Sequence, residues 1–255
     1  AQRDPDIDVT ELFEKDVRQK LCVVTDEALI KAVQAEMAPK KGLIIADGHH
    51  RYETAIAYRE EMRAKFPDAP ANAAFNYLLV SLVSTSNPGL VILPTHRLIF
   101  DYKKMDAEAI LAKAGEYFKI EKLNGRVELE SRMKSRLGQK GCFGLIANSG
   151  VYALELEVDA IMDTLSPDRA DIWRALDASI LHKLLLEHVL GISAEKIDAK
   201  EGIEYLREPD RGYERVAEDK KAFLFIVNAT RMDQISDCTA IDEVMPQKST
   251  DFYPK

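Results

Sequence analysis

The sequence has few cysteines, and they are not arranged as metal ligands or as an evident disulfide set. Its three cysteines, Cys22, Cys142 and Cys238, lie far apart, and no Cys-x-x-Cys spacing occurs. A disulfide-stabilised extracellular domain and a cysteine-based structural zinc site are therefore not indicated. This cysteine usage fits a reducing compartment best, so we expect a cytoplasmic protein.

Long apolar runs and an excess of positive charge are missing too. No stretch approaches the roughly 18 apolar residues that a membrane-spanning helix requires, and the N-terminus shows no signal-peptide pattern. The 35 Lys and Arg residues against 43 Asp and Glu give a formal net charge of −8. We expect neither a membrane protein nor a nucleic-acid binder, so any small anionic ligand needs a local cluster of cations.

One stretch stands out against this ordinary composition. The apolar run Leu43–Ala46 predicts a short buried strand, Asp47-Gly48 predicts a tight turn, and the apolar spacing beyond His49 predicts a helix. The first turn of a helix carries unpaired N–H groups and partial positive charge, which suit an anion. With Arg51 added, a phosphate or carboxylate is the expected guest.

The residues of this turn divide into two candidate groups. Phosphate or substrate binding is assigned to Gly48, Arg51 and Thr54, and candidate catalytic roles to Asp47, His49, His50 and Glu53. In an alternative that stays open, Asp47 caps the helix, the histidines bond to backbone, and Arg51 pairs with an acid. Because neighbouring helix positions point about 100° apart, the two histidines do not share a metal easily, and we predict no dedicated metal site.

Two further segments carry similar chemistry. His96 and Arg97 follow the predicted strand 90–93, and ligand sites gather at strand ends. Near the C-terminus, Lys248, Ser249 and Thr250 offer one cation and two hydroxyls in a segment that Pro246 keeps extended. All five are candidate phosphate or substrate ligands. The alternatives are a solvated surface loop for the first segment and an ordinary polar tail for the second.

The coarse pattern predicts an α/β (α+β) fold. Predicted strands at residues 21–24, 43–46, 76–84 and 90–93 alternate with helices, and the composition changes after Phe100. We therefore expect one domain over residues 1–100 and a C-terminal α+β domain over 101–255. In the second, the sequence predicts a hairpin around 148–150 and one long helix over 166–191, with His182 at the edge of the core.

Three motifs together resemble a bacterial and archaeal family catalogued as domain of unknown function 1015. They are Ile45-Ala46-Asp47-Gly48-His49-His50-Arg51-Tyr52-Glu53-Thr54, then Leu93-Pro94-Thr95-His96-Arg97, then Met245-Pro246-Gln247-Lys248-Ser249-Thr250 with Phe252-Tyr253-Pro254-Lys255, and Leu176–His182 also resembles a family segment. The family's members are longer at the N-terminus, so the resemblance implies a chain that is truncated there.

The Asp47–Arg51 turn is in addition similar to the phosphate-binding turn of the ParB and sulfiredoxin superfamily, which includes free-serine kinases. This resemblance implies a partial ParB/sulfiredoxin-like mixed-sheet domain over residues 1–100. It also implies that the turn holds nucleotide phosphates. The acidic catalytic residue of the serine kinases belongs to the N-terminal portion and is carried onto no position of this sequence.

The first functional hypothesis is an enzyme that binds a nucleotide or phosphorylated metabolite, a phosphotransferase acting on a serine-like hydroxyl with ATP or ADP and Mg²⁺. In it, Asp47 binds Mg²⁺ or orients the acceptor, Glu53 is a weaker base, and His96, Arg97 and Lys248 offset developing charge. The second hypothesis is a non-catalytic module that senses a nucleotide or acidic metabolite. The third is a metal-dependent hydrolase whose motif residues share a metal with His96.

Overall fold

The chain divides into two compact units. The computed structural model describes residues 4–10, 17–40, 42–102 and 104–253, so Pro254 and Lys255 of the third motif lie outside the described residues. One unit ends at Leu82 and the other comprises Val83–Tyr253. The domain boundary after residue 100, which rests on the change in composition, stays a prediction.

The first unit contains a hairpin and two helices. Strands β1 (Ile7–Thr10) and β2 (Arg18–Leu21) pair antiparallel. Helix α1 (Glu27–Met37) begins at Asp26, whose carboxylate accepts the N–H groups of residues 28 and 29 at 2.8 and 3.0 Å. Helix α2 (His49–Lys65) carries the first motif, and a 3-10 turn occupies residues 74–76.

The strands predicted in this unit are mostly wrong. Residues 22–24, 43–46 and 77–83 form no strand, and none of the described residues up to Leu82 is buried. Leu43 is 66% exposed and Leu79 97% exposed. An apolar run shows that a segment suits a buried strand, but a strand also needs a hydrogen-bonding partner, which the local pattern does not specify.

The second unit is built on an antiparallel sheet. Strands β3 (Val91–Leu93) and β10 (Asp251–Tyr253) form a separate antiparallel pair. The main sheet is formed by β4 (His96–Ile99), β5 (Phe118–Leu123), β6 (Cys142–Ala147), β7 (Gly150–Leu156), β8 (Ile203–Leu206) and β9 (Phe223–Val227). Its strand order is β5-β7-β6-β9-β4-β8, and every pair is antiparallel. The predicted α+β class is therefore confirmed, as is the hairpin, in which Ala147 lies opposite Gly150.

Helices cover both faces of this sheet. They are α3 (Ala107–Ala114), α4 (Arg126–Ser135), α5 (Ile161–Leu165), α6 (Asp171–Arg174), α7 (Asp177–Ile180), α8 (Ala194–Asp198), α9 (Asp210–Glu218) and α10 (Met232–Ala240). Along β9, Phe223 and Phe225 belong to one apolar core and Leu224 to the other. Gly144 of β6 lets α4 approach closely, because a Cβ there would lie 2.7 Å from the side chain of Leu129. No helix in the described ranges has the length and apolar character needed to cross a bilayer.

The single long helix predicted over 166–191 is wrong. The Ser166 N–H bonds back to Met162 at 3.0 Å, so Ser166 ends α5 and does not start a new helix. The chain then forms α6, α7 and a nine-residue π-helix, Leu181–Val189. Asp177 at the start of α7 accepts the Gly141 N–H at 2.7 Å. Such tertiary hydrogen bonds compete with helix continuation, and the continuous apolar stripe does not reveal them.

Core packing in the second unit predicts the cost of a cavity. Leu154 of β7 is fully buried, so we expect Leu154→Ala to lower the free energy of unfolding by about 2–5 kcal/mol. The same substitution at Leu137, which is 63% exposed, should change it by less than about 0.5 kcal/mol. Urea unfolding followed by the fluorescence of Trp173, buried in this unit, measures both. Equal destabilisation by the two variants would contradict the packing described.

Candidate functional site

The first motif forms an exposed turn at the start of α2. Gly48 is the N-cap residue and adopts the left-handed conformation, with φ +89°. The Arg51 guanidinium folds back over it, so a Cβ at Gly48 would lie 2.9 Å from the Arg51 Nη2 atom. The backbone angle therefore favours glycine here, whereas the exposed end of the Arg51 side chain could shift to make room for a Cβ.

The polar contacts of this turn are local and solvent-exposed. Arg51 Nη2 lies 3.4 Å from Asp47 Oδ2, His50 Nδ1 lies 3.4 Å from Glu53 Oε2, and the Thr54 hydroxyl donates to the His50 carbonyl at 2.7 Å. The N-cap residue Gly48 has no side chain that could cap α2. The predicted pairing of Arg51 with an acid is confirmed, whereas the capping of the helix by Asp47 stays a prediction. The first N–H groups of a helix suit an anion.

The second and third motifs meet in the other unit, around a buried arginine. His96 and Arg97 belong to strand β4 and not to a surface loop, with exposures of 5% and 1%. The solvated-loop alternative is therefore wrong. Within the sheet β4 lies between β9 and β8, and Arg97 is opposite Phe225 on one side and Tyr205 on the other.

Three separate parts of the chain contact the Arg97 guanidinium. It donates to the Thr95 carbonyl, to the Lys248 carbonyl at 2.9 Å, and to His182 Nε2 from Nε at 3.3 Å and Nη2 at 3.2 Å. It also lies over the Tyr205 ring, 4.9 Å from the centroid. No carboxylate of the described residues lies within ion-pairing distance of it. The charge is thus solvated by neutral groups alone.

Burial keeps the surrounding histidines neutral. Desolvation, aided by the nearby Arg97, lowers the pKa of His182 to about 3 and that of His96 to about 4. Burial also lowers the pKa of Arg97 to about 10, so it stays a cation at neutral pH. His182 Nε2 accepts from the guanidinium, which assigns the ring proton to Nδ1. His96 Nδ1 in turn accepts the Val227 N–H at 3.3 Å.

A small recess of about 10 Å³, room for about one water molecule, lies beside the guanidinium and opens to solvent. This recess, called here the Arg97 pocket, is lined by Thr95, Arg97, Ala178, Leu181, Val227, Asn228, Thr230, Lys248 and Ser249. Its lining holds two cations, four neutral polar residues and no acid. Lys248 adopts a left-handed backbone with φ +55°, a conformation that costs a non-glycine residue free energy and often marks functional sites.

The structure thus gathers part of the predicted set. Arg97, Lys248 and Ser249 line the Arg97 pocket, His96 precedes Arg97 in β4, and Thr250 follows the lining without being part of it. The seven residues predicted in the Asp47–Thr54 turn belong to the first unit, whereas the Arg97 pocket belongs to the second.

Sequence reasoning missed several polar residues of this site, among them His182, Asn228 and Thr230. His182 sits on an apolar helical stripe, which made a core role the natural interpretation, and no local signal distinguishes the two roles. Asn228 and Thr230 come directly after strand β9, so the strand-end rule used for His96 could have found them. Within the described ranges, no group of three or more His, Cys, Asp or Glu residues is placed to hold a metal ion.

Comparison with known proteins assigns the family. The model of a family described as protein of unknown function (DUF1015) matches residues 1–179. The chain belongs to this family. That confirms the predicted family; the matched residues include the first two motifs but not the third. The ParB/sulfiredoxin relationship of the DUF1015 chain stays a prediction. None of the curated proteins matches it.

Solved structures show a weak overall likeness to the DUF1015 chain. A free serine kinase in complex with AMP is 15% identical, with a TM-score of 0.44 over 89% of this chain and 78% of that one. A conserved hypothetical protein from Pyrococcus furiosus is 14% identical, with a TM-score of 0.44 over 89% and 81%. Likeness at this level assigns neither a ligand nor an activity.

The low pKa of His182 predicts an acid-sensitive stability. The ring stays neutral to about pH 3 when folded but takes up a proton near pH 6.5 when unfolded, so acid favours the unfolded state. Between pH 6 and 4.5, we expect the free energy of unfolding to fall more steeply in the wild type than in His182→Gln. The difference in slope should be about 1.4 kcal/mol per pH unit.

The comparison removes contributions that both proteins share. Burial raises the pKa of Asp177 to about 6, which opposes the histidine effect, and the pKa of His96 lowered to about 4 adds to it. Asp177 and His96 are present in both proteins, so their contributions cancel when wild type and variant are compared. Both proteins are unfolded in urea at each pH. Parallel profiles would show that the His182 imidazole is not held neutral by burial against Arg97.

Proposed function

We propose that this protein binds a small anionic metabolite at the open side of the Arg97 pocket. The observation that supports the proposal is the charge of the lining, in which two cations, Arg97 and Lys248, are unaccompanied by any acid. The chain as a whole carries a net charge of −8. A local positive site in an acidic protein is the arrangement expected for selective capture of an anion.

The burial of Arg97 strengthens this proposal. A guanidinium removed from water costs free energy unless an opposite charge or enough hydrogen bonds replace its hydration. Carbonyls, an imidazole and an aromatic ring replace part of that hydration, but none of them neutralises the charge. A bound anion would do so at the open side of the pocket, so the ligand also stabilises the site.

We propose further that the Asp47–Thr54 turn holds the phosphates of ATP or ADP and that the protein is a phosphotransferase. Support comes from the resemblance of the turn, from the glycine at the N-cap of α2 and from the exposed guanidinium of Arg51. Mg²⁺ is often held by one or two carboxylates together with substrate phosphates, and Asp47 is the carboxylate that fits this role. Phosphate binding would then replace Asp47 as the partner of Arg51.

A non-catalytic sensor is the second candidate, and one observation favours it. No carboxylate lines the Arg97 pocket, and the pKa values of His96 and His182 are lowered to about 4 and about 3. General bases work best with a pKa near the operating pH. The pocket therefore contains groups suited to binding but no strong base. No arrangement of the described residues favours the metal-dependent hydrolase of the third hypothesis.

Removal of the Arg97 charge tests the binding function. We expect Arg97→Gln to weaken binding of inorganic phosphate by about 2–4 kcal/mol, roughly 30- to 1,000-fold, because a charge-assisted hydrogen bond and a buried cation are lost. Isothermal titration measures the affinity. Arg215→Gln, which removes a half-exposed arginine paired with Asp219 away from the pocket, is the matched control.

Two further measurements keep this test decisive. Circular dichroism and the melting temperature establish that Arg97→Gln is folded. Should that variant fail to fold, Lys248→Gln carries the test, because its side chain is exposed and its loss leaves the core intact. Wild-type affinity in folded Arg97→Gln, or in Lys248→Gln where that variant carries the test, would refute the proposal.

Arg51 tests the nucleotide proposal separately. Arg51→Ala should weaken ADP binding by about 2–4 kcal/mol if its guanidinium holds a phosphate. Arg59→Ala, two turns further along α2 and paired with Glu60, is the matched control. Phosphate transfer from ATP or ADP to serine and other small hydroxyl compounds is followed in parallel. Unchanged ADP affinity excludes the role of Arg51, and binding without turnover distinguishes the sensor from the phosphotransferase.

A further inference from the structure

We infer that residues 77–82, called here the 77–82 segment, pair as a β-strand with the same segment of a second copy of the chain, in a symmetric dimer. The inference concerns the first unit and goes beyond the proposed binding functions. It follows from three properties of the segment: its unpaired backbone, its exposed apolar side chains, and its lack of charge.

The backbone of the 77–82 segment is available for strand pairing. Tyr77 has an extended backbone, with φ −124° and ψ 148°, and its N–H donates to the Ala74 carbonyl at 3.1 Å. From residue 78 to residue 82, the backbone makes no hydrogen bond to any other part of the chain that the structure describes. These successive residues therefore offer a row of N–H and C=O groups to another strand.

The side chains of the segment are apolar and exposed. Its five apolar residues are between 43% and 97% exposed; they are Tyr77, Leu78, Leu79, Val80 and Leu82. Because successive residues of a strand point to opposite faces, such a run is typical of a strand that is covered on both sides. Native proteins protect an exposed edge strand with lysine, proline or a bulge, and the segment contains neither lysine nor proline. We therefore expect it to be covered in the native assembly.

The rest of the first unit exposes apolar surface as well. Twenty of the twenty-eight large apolar residues that are exposed in the described parts of the chain lie at or before Leu82. No described residue of this unit is buried, so the unit has no core of its own. A stable interface of standard size takes roughly 20–30 residues from each partner. The first unit therefore has enough exposed apolar residues to supply one.

The lack of charge favours a second copy over a different protein as the partner. Residues 69–95 include no Asp, Glu, Lys or Arg. A different partner is usually selected, and wrong ones are excluded, by complementary charges, which this segment does not have. In a two-fold symmetric pair, a charge near the axis would meet its own copy, and like charges that lie opposite each other destabilise a sheet. An uncharged strand avoids this penalty.

Antiparallel pairing about a two-fold axis uses the segment in the same way in both copies. Main-chain hydrogen bonds then supply affinity, as they do when a peptide adds to the edge of a sheet. With the axis near Leu79, the side chain of this residue lies close to its own copy. An isolated pair of strands is marginal in water, so other exposed apolar residues of the unit contribute to the interface as well.

Self-association of the full chain tests the inference. In sedimentation velocity from about 1 to 100 µM, we expect a species of twice the 28.7 kDa chain mass that dissociates on dilution. Leu79→Lys and Leu79→Glu should each raise the dissociation constant at least about tenfold, because like charges then meet near the axis. Leu79 is 97% exposed, so neither variant disturbs packing within one chain. Leu137→Lys, at an exposed site of the second unit, is the matched control and should leave the constant unchanged.

A mixture of the two charged variants identifies the partner. Leu79→Lys and Leu79→Glu in equal amounts should form a mixed dimer, because opposite charges then meet near the axis. This restoration requires that the same segment of another copy is the partner. Hydrogen exchange followed by mass spectrometry locates the pairing. The backbone amides of residues 78–82 should be protected at high concentration and exchange freely on dilution.

Five outcomes would overturn the inference. They are a wild-type chain that stays monomeric over the whole concentration range, assemblies without a defined size, a dimer that both charged variants retain, a mixture of the variants that does not associate, and fast exchange of residues 78–82 within the dimer. The last would show that the two copies meet through another surface.

Discussion

The burial of one guanidinium constrains much of the second unit. Arg97 lies on β4, next to the edge strand β8, and is held by Thr95 of its own segment, by His182 of the π-helix and by the Lys248 carbonyl near the C-terminus. Because a buried charge is costly when its partners are lost, these three segments are tied to one another. The left-handed backbone of Lys248 fits this view, since it directs the carbonyl of this residue to the guanidinium.

Other arginines of the second unit form ion pairs with acids. Arg132 and Arg136 share Glu155, at 3.1 and 2.6 Å, and Arg132 also pairs with Glu121 at 2.8 Å. Arg169 pairs with Glu243 at 2.9 Å. Those pairs lie at least partly in water, where each is worth little, and they leave no net charge behind. Arg97 is the opposite case, with deep burial and no acid within reach among the described residues. The contrast between these paired arginines and Arg97 indicates that the site keeps the positive charge of Arg97 uncompensated.

The sequence predicted those elements that are set by local chemistry. The hairpin of β6 and β7 follows from the local turn signal Asn148-Ser149-Gly150. Several elements that depend on distant partners were wrong, namely most strands before residue 84 and the unbroken helix over 166–191. The predicted strand 90–93, however, is present as β3, paired with the distant β10. The site divides in the same way. Arg97, Lys248 and Ser249 stand out as polar groups beside apolar runs, whereas His182 is recognisable only when its contact across 85 residues is seen.

A neutral partner for Arg97 explains how the guanidinium is held in place while the pocket keeps its positive charge. A carboxylate in place of His182 would bind the guanidinium more strongly, but it would cancel the charge, and a ligand would have to compete with it. A neutral imidazole accepts two N–H groups and orients the guanidinium while leaving its charge intact. Burial keeps that imidazole neutral, since the pKa is lowered to about 3, so the partner does not become a repelling cation at physiological pH. The same desolvation that makes the arginine costly therefore also preserves the acceptor that holds it.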